Sequence, residues 1–237
     1  KAERGLSPAD LAMHVVLPEV DGRLNGGVGS FKQPCKRDRA LEYSRFAHHA
    51  DMGRVKALVN RLSAHVSLQS KKAKEKVAAL VLSTYPGKVW NMAHAVGLDA
   101  LASAEAILED LKENGYSIDN TTHLAHRLRT HYIQWDILEY EKELCCLPKE
   151  IRARLQDSWG APREDKLAKN GSFAFHAVRC GSTIVALQPE RGKIESRISD
   201  YHDTNLTPCH SYVAFYLWLR RHIAADALVH VGAHGTL

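Results

Sequence analysis

Two histidines near the end of the chain have the side chain best suited to moving protons or holding a metal ion. His230 lies in the apolar run Leu-Val-His-Val, and His234 follows four positions later between Gly232 and Gly235. Because glycines let a backbone approach a ligand closely, this pattern favours a functional role for His234. For His230 two interpretations remain open: a core histidine with satisfied ring nitrogens, or a functional one. Imidazole titrates near neutral pH, which suits proton transfer or metal binding.

A second polar group precedes the last long helix of the chain. His202 and Asp203 stand in Tyr-His-Asp-Thr, and His210 ends Pro-Cys-His. A carboxylate such as Asp203 commonly orients a histidine that acts as a base or a metal ligand. The alternative is a loop that caps the helix expected to begin at Ser211.

Charged and hydrogen-bonding residues also stand in two loops near the start and middle of the chain. Glu19, Asp21 and Arg23 alternate, so on an extended segment all three share one side, as a charge cluster or as an internally paired surface loop. In Tyr85-Pro-Gly-Lys88, backbone N–H groups and an ammonium could bind an anionic substituent at a helix N-terminus.

Hydrophobic periodicity predicts the elements that must position these residues. Apolar runs predict strands at 12–17, 77–82, 173–178, 183–187 and 227–231, the last one buried on both faces. Helical spacing predicts helices at 51–67, at 101–111 with Gly115 as the cap, from 120 or 121 through Leu138, from Pro148 to Gly160, and at 211–223. The stretch from 30 to about 49 is predicted to be a surface loop, and 67–76 a charged linker. Aromatic residues at 212–218 suit either a planar apolar ligand or a buried core helix.

Four of the predicted strands run directly into loops rich in polar residues and glycine. These loops read Pro-Glu-Val-Asp-Gly-Arg, Ser-Thr-Tyr-Pro-Gly-Lys, Gln-Pro-Glu-Arg-Gly and Gly-Ala-His-Gly. The alternation of strands and helices predicts an α/β fold with largely parallel sheet segments and flanking helices. In such sheets ligands bind beyond the carboxyl ends of the strands, so we expect a ligand cleft there. Three segments are expected: an N-terminal one at 1–70, one with long helices at 71–165, and a third at 166–237.

Composition and motifs exclude several classes of function. The chain has 237 residues, is 45% hydrophobic and 25% charged, and carries a net charge of +5 without a one-sided basic cluster, which argues against nucleic acid as a partner. No signal peptide or membrane span is recognisable, and five cysteines without a Cys-x-x-Cys pair predict free thiols in a cytoplasmic protein. Neither a Walker A loop nor a G-x-G-x-x-G turn is present, so we expect no ATP site on this chain.

Long strings spread along the whole chain resemble the cobaltochelatase large-subunit family, which is related to the magnesium chelatase large subunits. They include Leu82-Ser-Thr-Tyr-Pro-Gly-Lys88, Trp90-Asn-Met-Ala-His-Ala-Val-Gly-Leu-Asp99, Val185-Ala-Leu-Gln-Pro-Glu-Arg-Gly192, Asp200-Tyr-His-Asp203, and the segment 210–235. The magnesium branch carries a different, Pro-Pro-containing string at the Tyr85 loop, so the cobalt branch fits better. The family pattern continues beyond His-Gly-Thr-Leu, so the chain is expected to be an internal fragment that is inactive alone.

The resemblance implies insertion of Co²⁺, as a substrate ion, into a corrin precursor, hydrogenobyrinic acid a,c-diamide, during cobalamin synthesis. It implies two smaller partner subunits that form an ATPase ring and carry ATP and Mg²⁺. The alternatives are a tetrapyrrole- or partner-binding module without catalysis, and a magnesium chelatase large subunit that inserts Mg²⁺ into protoporphyrin.

Under this resemblance the candidate residues take three roles. Imidazoles accept ring protons or hold the metal ion, carboxylates assist its desolvation, and cationic side chains pair with the carboxylates of the precursor. The expected catalytic residues are His234, His230 and Glu19. The expected substrate-binding residues are Arg23, Tyr85, Lys88, Asn91 and Arg191. The expected metal ligands are His202, Asp203 and His210.

Overall fold

The chain folds into two compact units, Lys1–Ser70 and Lys71–Leu237. The computed structural model describes residues 6–83, the backbone of 94–95, and residues 98–192 and 206–232. Within the second unit, strand Ile133–Asp136 pairs with strand Ser172–Phe175, so elements on both sides of the expected boundary at 165/166 share a sheet. The division into three segments stays a prediction.

The first unit begins with a helical run, not with the strand predicted at 12–17. Helix α1 (Pro8–Leu11) is followed by a π-helical turn (Ala12–Val16) and helix α2 (Leu17–Val20). Ser7 and Asp10 form a capping box, and Pro8 occupies the first turn, where its missing N–H costs nothing. These start signals outweigh the apolar run that suggested a strand, and the loop with Glu19 does not follow a strand.

A hairpin and one long helix complete the first unit. Strands β1 (Ser30–Pro34) and β2 (Phe46–Ala50) pair antiparallel, so the prediction of a surface loop over this stretch is wrong. Helix α3 (Met52–Ser70) confirms the helix predicted at 51–67 and continues into the expected linker. Not one of the described residues in this unit is buried.

A four-stranded sheet forms the centre of the second unit. Its strands are β3 (Ala78–Leu82), β9 (Ala177–Cys180), β10 (Thr183–Leu187) and β11 (Ala227–Val231), in the order β11-β3-β10-β9. Strands β11 and β10 both pair parallel with β3, whereas β9 pairs antiparallel with β10. Every residue of β3 is buried, as predicted.

Alternate residues of the sheet face two different helical layers. Ala79, Val81, Ile184 and Ala186 pack on one face against the helix that begins at His210. Leu80, Leu82 and Val185 pack on the other face against helices α4 (Ala100–Glu113) and α5 (Leu124–Thr130). This alternation is the period of two that strands impose on side chains. The two layers confirm the α/β class.

The remaining elements of the second unit flank this sheet. They are β4 (His94–Ala95), β5 (Leu98–Asp99), β6 (Ile133–Asp136), α6 (Ile137–Cys145), α7 (Lys149–Trp159), β7 (Ala168–Lys169), β8 (Ser172–Phe175), and α8 (His210–Leu217) with a π-helical continuation (Trp218–His222). Short 3-10 turns occur at Ala73–Glu75 and Pro162–Glu164. The helices predicted at 101–111, after Pro148, and at 211–223 are confirmed.

Three predictions in this unit are wrong. The long helix predicted through Leu138 is interrupted, because the chain forms β6 between α5 and α6 and places Trp135 opposite Phe173. The strand predicted at 173–178 is two strands, β8 and β9, in different sheets. Strand β11 exists but is not buried on both faces: it is the outermost of the described strands of its sheet, and Leu228 and Val229 are exposed.

Candidate functional site

The carboxyl ends of β3, β10 and β11 lie side by side at one edge of the sheet. The N–H of Gln188 donates to the carbonyl of Leu82 at 2.9 Å, and the N–H of Ser83 donates to the carbonyl of Val231 at 3.1 Å. At Gly232, a Cβ would overlap the hydroxyl of Ser83, so only glycine fits there without movement. The predicted convergence of the strand ends that lead into three of the four polar loops is confirmed. A ligand cleft beyond them stays a prediction.

A hydrogen-bonded group stands where these strands end, on the α8 side of the sheet. The buried side chain of Gln188 donates from Nε2 to Tyr212 Oη at 3.0 Å and to Tyr216 Oη at 2.7 Å. Burial, first, and then the neighbouring Tyr212 phenol raise the pKa of the Tyr216 phenol well above its ordinary value of 10.0. Tyr216 is therefore a neutral phenol at physiological pH.

His230 lies next to this group, on the edge strand. Its ring stacks on the ring of Tyr216, with 5.9 Å between centroids and an interplanar angle of 22°. Partial burial lowers the pKa of His230 below its ordinary value of 6.5, so the imidazole is neutral at pH 7. A neutral imidazole has one nitrogen with a free lone pair, which can accept a proton.

His210 has a different environment, at the start of α8. Its side chain is buried, Nδ1 lies 2.8 Å from Tyr140 Oη, and Nε2 lies 3.0 Å from the carbonyl of Gly160. Since a carbonyl only accepts, Nε2 carries the proton and Nδ1 accepts from the phenol. Both ring nitrogens are occupied, so this arrangement leaves His210 no lone pair for the metal ion that the sequence assigned to it.

Arg191 stands on the loop after β10, on the same side of the sheet as the other strand ends. Its Nη2 donates to the carbonyl of Leu206 at 2.9 Å, and its own carbonyl accepts from the N–H of Cys209 at 2.8 Å. These bonds attach the loop to the segment that leads into α8. The guanidinium is half-buried, and its Nε has no hydrogen-bond partner among the described residues.

The other predicted site residues fall into two groups. Glu19 and Arg23 are exposed residues of the first unit, Glu19 within α2 and Arg23 beyond its end, so neither stands at the end of a sheet strand. Six further predictions lie outside the described residues: Tyr85, Lys88, Asn91, His202, Asp203 and His234.

The described residues contain no group of three or more His, Cys, Asp or Glu side chains that could hold a metal ion. Burial raises the pKa of the Cys180 and Cys209 thiols, which disfavours the thiolate form that binds metals. Over the same residues, no helix is long and apolar enough to cross a membrane.

The sequence placed Gln188 only within a polar loop and Tyr216 only among the aromatic residues at 212–218, and neither was predicted to support a histidine. Gln188 is the first residue after a parallel strand, and Tyr212 and Tyr216 stand one helical turn apart on α8. A polar residue at a strand end and two hydroxyl-bearing rings on one helix face are the signals that could have pointed to them.

The model of the CobN/magnesium chelatase family matches residues 1–237, the whole of the chain. The chain belongs to this family. The CobN subunit of aerobic cobaltochelatase from Pseudomonas aeruginosa is 36% identical over 99% of this chain and 20% of its own length. A magnesium-chelatase subunit from Rhodobacter capsulatus is 26% identical over 98% of this chain and 21% of its own length.

A solved cobaltochelatase subunit has the same fold. The catalytic subunit of cobaltochelatase from Mycobacterium tuberculosis superposes with a TM-score of 0.77 at 30% identity, covering 98% of this chain and 20% of that one. The chain therefore spans about a fifth of the length of these cobaltochelatase relatives.

Proposed function

We propose that this chain is part of the large, tetrapyrrole-binding subunit of an ATP-dependent cobaltochelatase that inserts Co²⁺ into hydrogenobyrinic acid a,c-diamide. The observation that carries the proposal is that the chain is more similar to a cobaltochelatase subunit than to a magnesium-chelatase subunit. Identity is 36% to a cobaltochelatase subunit over 99% of the chain, against 26% to a magnesium-chelatase subunit over 98%.

Metal insertion requires that protons leave the inner nitrogens of the ring as the metal ion enters. His230 suits this task, because its imidazole is neutral at pH 7 and stands beside the strand ends where ligands bind in such sheets. His234, four positions further along the same chain segment, is the second proposed acceptor. Glu19, His202 and Asp203 remain proposed residues for stripping water from the metal ion and holding it.

Recognition of the precursor is assigned to cationic and polar side chains. Arg191 follows β10 and carries a charge that complements the peripheral carboxylates of a corrin precursor. Arg23, Tyr85, Lys88 and Asn91 are the other proposed binding residues.

ATP hydrolysis belongs, in this proposal, to two smaller partner subunits that form a ring and bind ATP with Mg²⁺. The support is the sequence, in which no Walker A loop occurs. The five cysteines are free thiols, which supports the cytoplasm as the compartment.

Absorbance titration with the corrin precursor tests the proposal. The full-length subunit that contains this chain is mixed with precursor and Co²⁺, with and without the ATPase partners and ATP. Saturable binding is expected in both cases, and conversion to the cobalt corrinoid only with the partners. Protoporphyrin with Mg²⁺ serves as the comparison, and faster turnover of that pair would assign the chain to the magnesium branch.

The second candidate function is a non-catalytic binding module. It is favoured by the fraction of the relatives that the chain covers, about a fifth. Binding of the precursor by this chain, with turnover unchanged when His230 and His234 are replaced in the full-length subunit, would support the module over the catalytic assignment.

A further inference from the structure

The group formed by Gln188, Tyr212 and Tyr216 fixes the position of one aromatic ring. The amide nitrogen of Gln188 offers two hydrogens, and the two phenol oxygens accept them. The ring of Tyr212 packs against the ring of Tyr216 with 5.1 Å between centroids. The ring of Phe215 lies edge-on to Tyr216 at 5.3 Å. Tyr216 is thus held at its hydroxyl and along its ring.

The ring of His230 depends on Tyr216 for its orientation. The imidazole of His230 stacks on the ring of Tyr216. Within the described part of the chain, no group forms a hydrogen bond with the ring nitrogens of His230. The imidazole stands on the edge strand β11, which is exposed at this position. Among the described residues, neither ring nitrogen of His230 has a partner while one ring face is supported, in contrast to the fully bonded ring of His210.

A second Tyr–His pair in the same unit shows what a purely structural arrangement looks like. Tyr132 packs on His176 at 4.2 Å between centroids, and Nδ1 of His176 is hydrogen-bonded to the carbonyl of Leu128 at 2.9 Å. There a backbone carbonyl fixes the imidazole. At His230, among the described residues, only the ring of Tyr216 forms a ring contact with the imidazole; we call this ring the platform.

We propose that Tyr216, tied by Gln188, is a positioning residue for His230: it holds the imidazole so that an open nitrogen faces the ring of the bound tetrapyrrole. This rests on the proposed function, in which His230 accepts a proton during metal insertion. A misplacement of a reacting group by about 1 Å can cost on the order of 10²-fold in rate. The platform acts on the chemical step and not on binding, so loss of the ring lowers kcat and leaves KM nearly unchanged.

The variants separate the ring from its hydroxyl. Tyr216→Leu removes the stacking surface, Tyr216→Phe keeps it, and Tyr132→Leu is the matched control at the structural pair. Each is checked for folding by thermal unfolding. On this 237-residue chain, proton–carbon NMR of the histidine Cε1–H groups reports ring stacking, and the His230 signal is identified by its disappearance in His230→Gln. We expect its upfield ring-current shift to be lost in Tyr216→Leu and kept in Tyr132→Leu. It should also be kept in Tyr216→Phe, because the contacts with Tyr212 and Phe215 still hold the ring when the bond from Gln188 is lost.

Kinetics in the full-length subunit, with Co²⁺, the corrin precursor and the ATPase partners, completes the test. We expect Tyr216→Leu to lower kcat by about 10-fold or more with KM within about twofold, and Tyr216→Phe to recover most of the rate. In a His230→Gln background, Tyr216→Leu should add nothing further, because both changes remove one function. The proposal would be overturned if Tyr216→Leu lowered kcat in the His230→Gln background by the same factor as in the unmodified subunit. It would also be overturned if a folded Tyr216→Leu variant had an unchanged kcat.

Failure of the proposed function gives a different result. If the proposed function is wrong, the unmodified full-length subunit does not insert cobalt. The NMR comparison then tests only whether Tyr216 positions the ring of His230. A His230→Gln variant with normal turnover removes the proton-accepting role of His230 and overturns the positioning proposal with it.

Discussion

Two histidines of the second unit show how local contacts decide what an imidazole can do. His210 has both ring nitrogens bonded inside the protein, whereas His230 has a supported ring face and a lowered pKa. The sequence alone could not distinguish the two roles, because both histidines have apolar or aromatic neighbours along the chain. Their environments differ in contacts with residues that are distant in sequence.

The contact between Tyr140 and His210 leads to the first prediction. Tyr140→Phe removes the phenol that donates to Nδ1 and leaves a buried acceptor unsatisfied, so unfolding free energy should fall by about 1–3 kcal/mol. Tyr132→Phe, at an exposed ring, is the control and should change little. Urea denaturation of both variants measures this. Equal stability of the two would show that the buried bond contributes nothing.

The lowered pKa of His230 predicts how stability responds to acid. The unfolded chain titrates His230 near 6.5 and the folded chain below it, so the unfolded state binds more protons in between. This contribution to stability is complete above pH 6.5 and is lost as the pH falls through the folded pKa. Chemical denaturation at pH 7.5, 6.5 and 5.5 should show a smaller acid loss in His230→Gln than in the unmodified chain. An identical pH dependence contradicts the prediction.

At the scale of elements, Gly232 at the end of β11 lies against Ser83 at the end of β3, with no room for a side chain. A Cβ on Gly232 would overlap Ser83 Oγ and stand 2.7 Å from Ser83 Cβ. Gly232→Ala should therefore destabilise the fold by about 1–3 kcal/mol, as overpacking does. Adding Ser83→Gly removes both clashing atoms and should recover part of the loss. Gly192→Ala, whose nearest contact is at 4.0 Å, should be nearly neutral in the same thermal unfolding assay.

The other ends of the same two strands are joined by a carboxylate. Asp226 accepts hydrogen bonds from Lys71 Nζ and from the N–H of Val77 at 2.9 Å, and its side chain is largely buried. Burial would raise the pKa of Asp226, but the bonds from Lys71 and Val77 outweigh it and hold the pKa below 3.8.

Removal of this carboxylate should cost more than removal of an exposed one. Asp226→Ala is expected to lower unfolding free energy by about 1.5–3 kcal/mol, the contribution of hydrogen bonds to a charged group. Glu139→Ala breaks an exposed pair with Lys142 and should cost less than about 0.5 kcal/mol. The contribution of Asp226 should disappear as the pH falls below 3.8, through its folded pKa. A similar loss for both variants at pH 7 would contradict this ranking.

Sequence patterns predicted those elements whose signals are local. The apolar run of β3 and the helical spacing of α4 and α7 specify these elements without reference to other parts of the chain. Strand β6 was missed because its identity depends on pairing with β8, which lies far away in sequence. The helical run at 8–20 was missed because its apolar residues were weighed above the capping box at Ser7.

The candidate site was also predicted only where it depends on local sequence signals. The ends of β3, β10 and β11 lie together as predicted, because parallel strands end at the same edge of a sheet. The platform and its bond to Gln188 were not predicted, because they depend on which face of α8 meets the sheet, and α8 is apolar nearly all round.

At the scale of the molecule, exposed apolar surface is the feature with the clearest consequence. In the first unit many large apolar side chains are exposed, among them Met13, Val20, Leu24, Leu41, Phe46 and Met52. In the second unit the edge strand β11 exposes Leu228 and Val229. Exposed apolar patches of several hundred Å² and unpaired strand edges both promote association.

We therefore expect the isolated chain to self-associate. Light scattering over a range of concentrations should give a mass that rises above the 26.4 kDa of one chain. Val229→Lys, a charge on the edge strand, should reduce the association. A constant monomer mass at all concentrations would show that these surfaces do not attract one another.

The parallel pairing of β11 with β3 also sets an order of events during synthesis. Strand β3 leaves the ribosome before β10 and β11, its two neighbours in the sheet. The start of β11 lies 149 positions after that of β3. Loop closure over such separations is slow, and an unpaired apolar strand is prone to aggregate in the meantime. Because every residue of β3 is buried in the folded chain, shielding by a chaperone would protect this strand until β10 and β11 have been made.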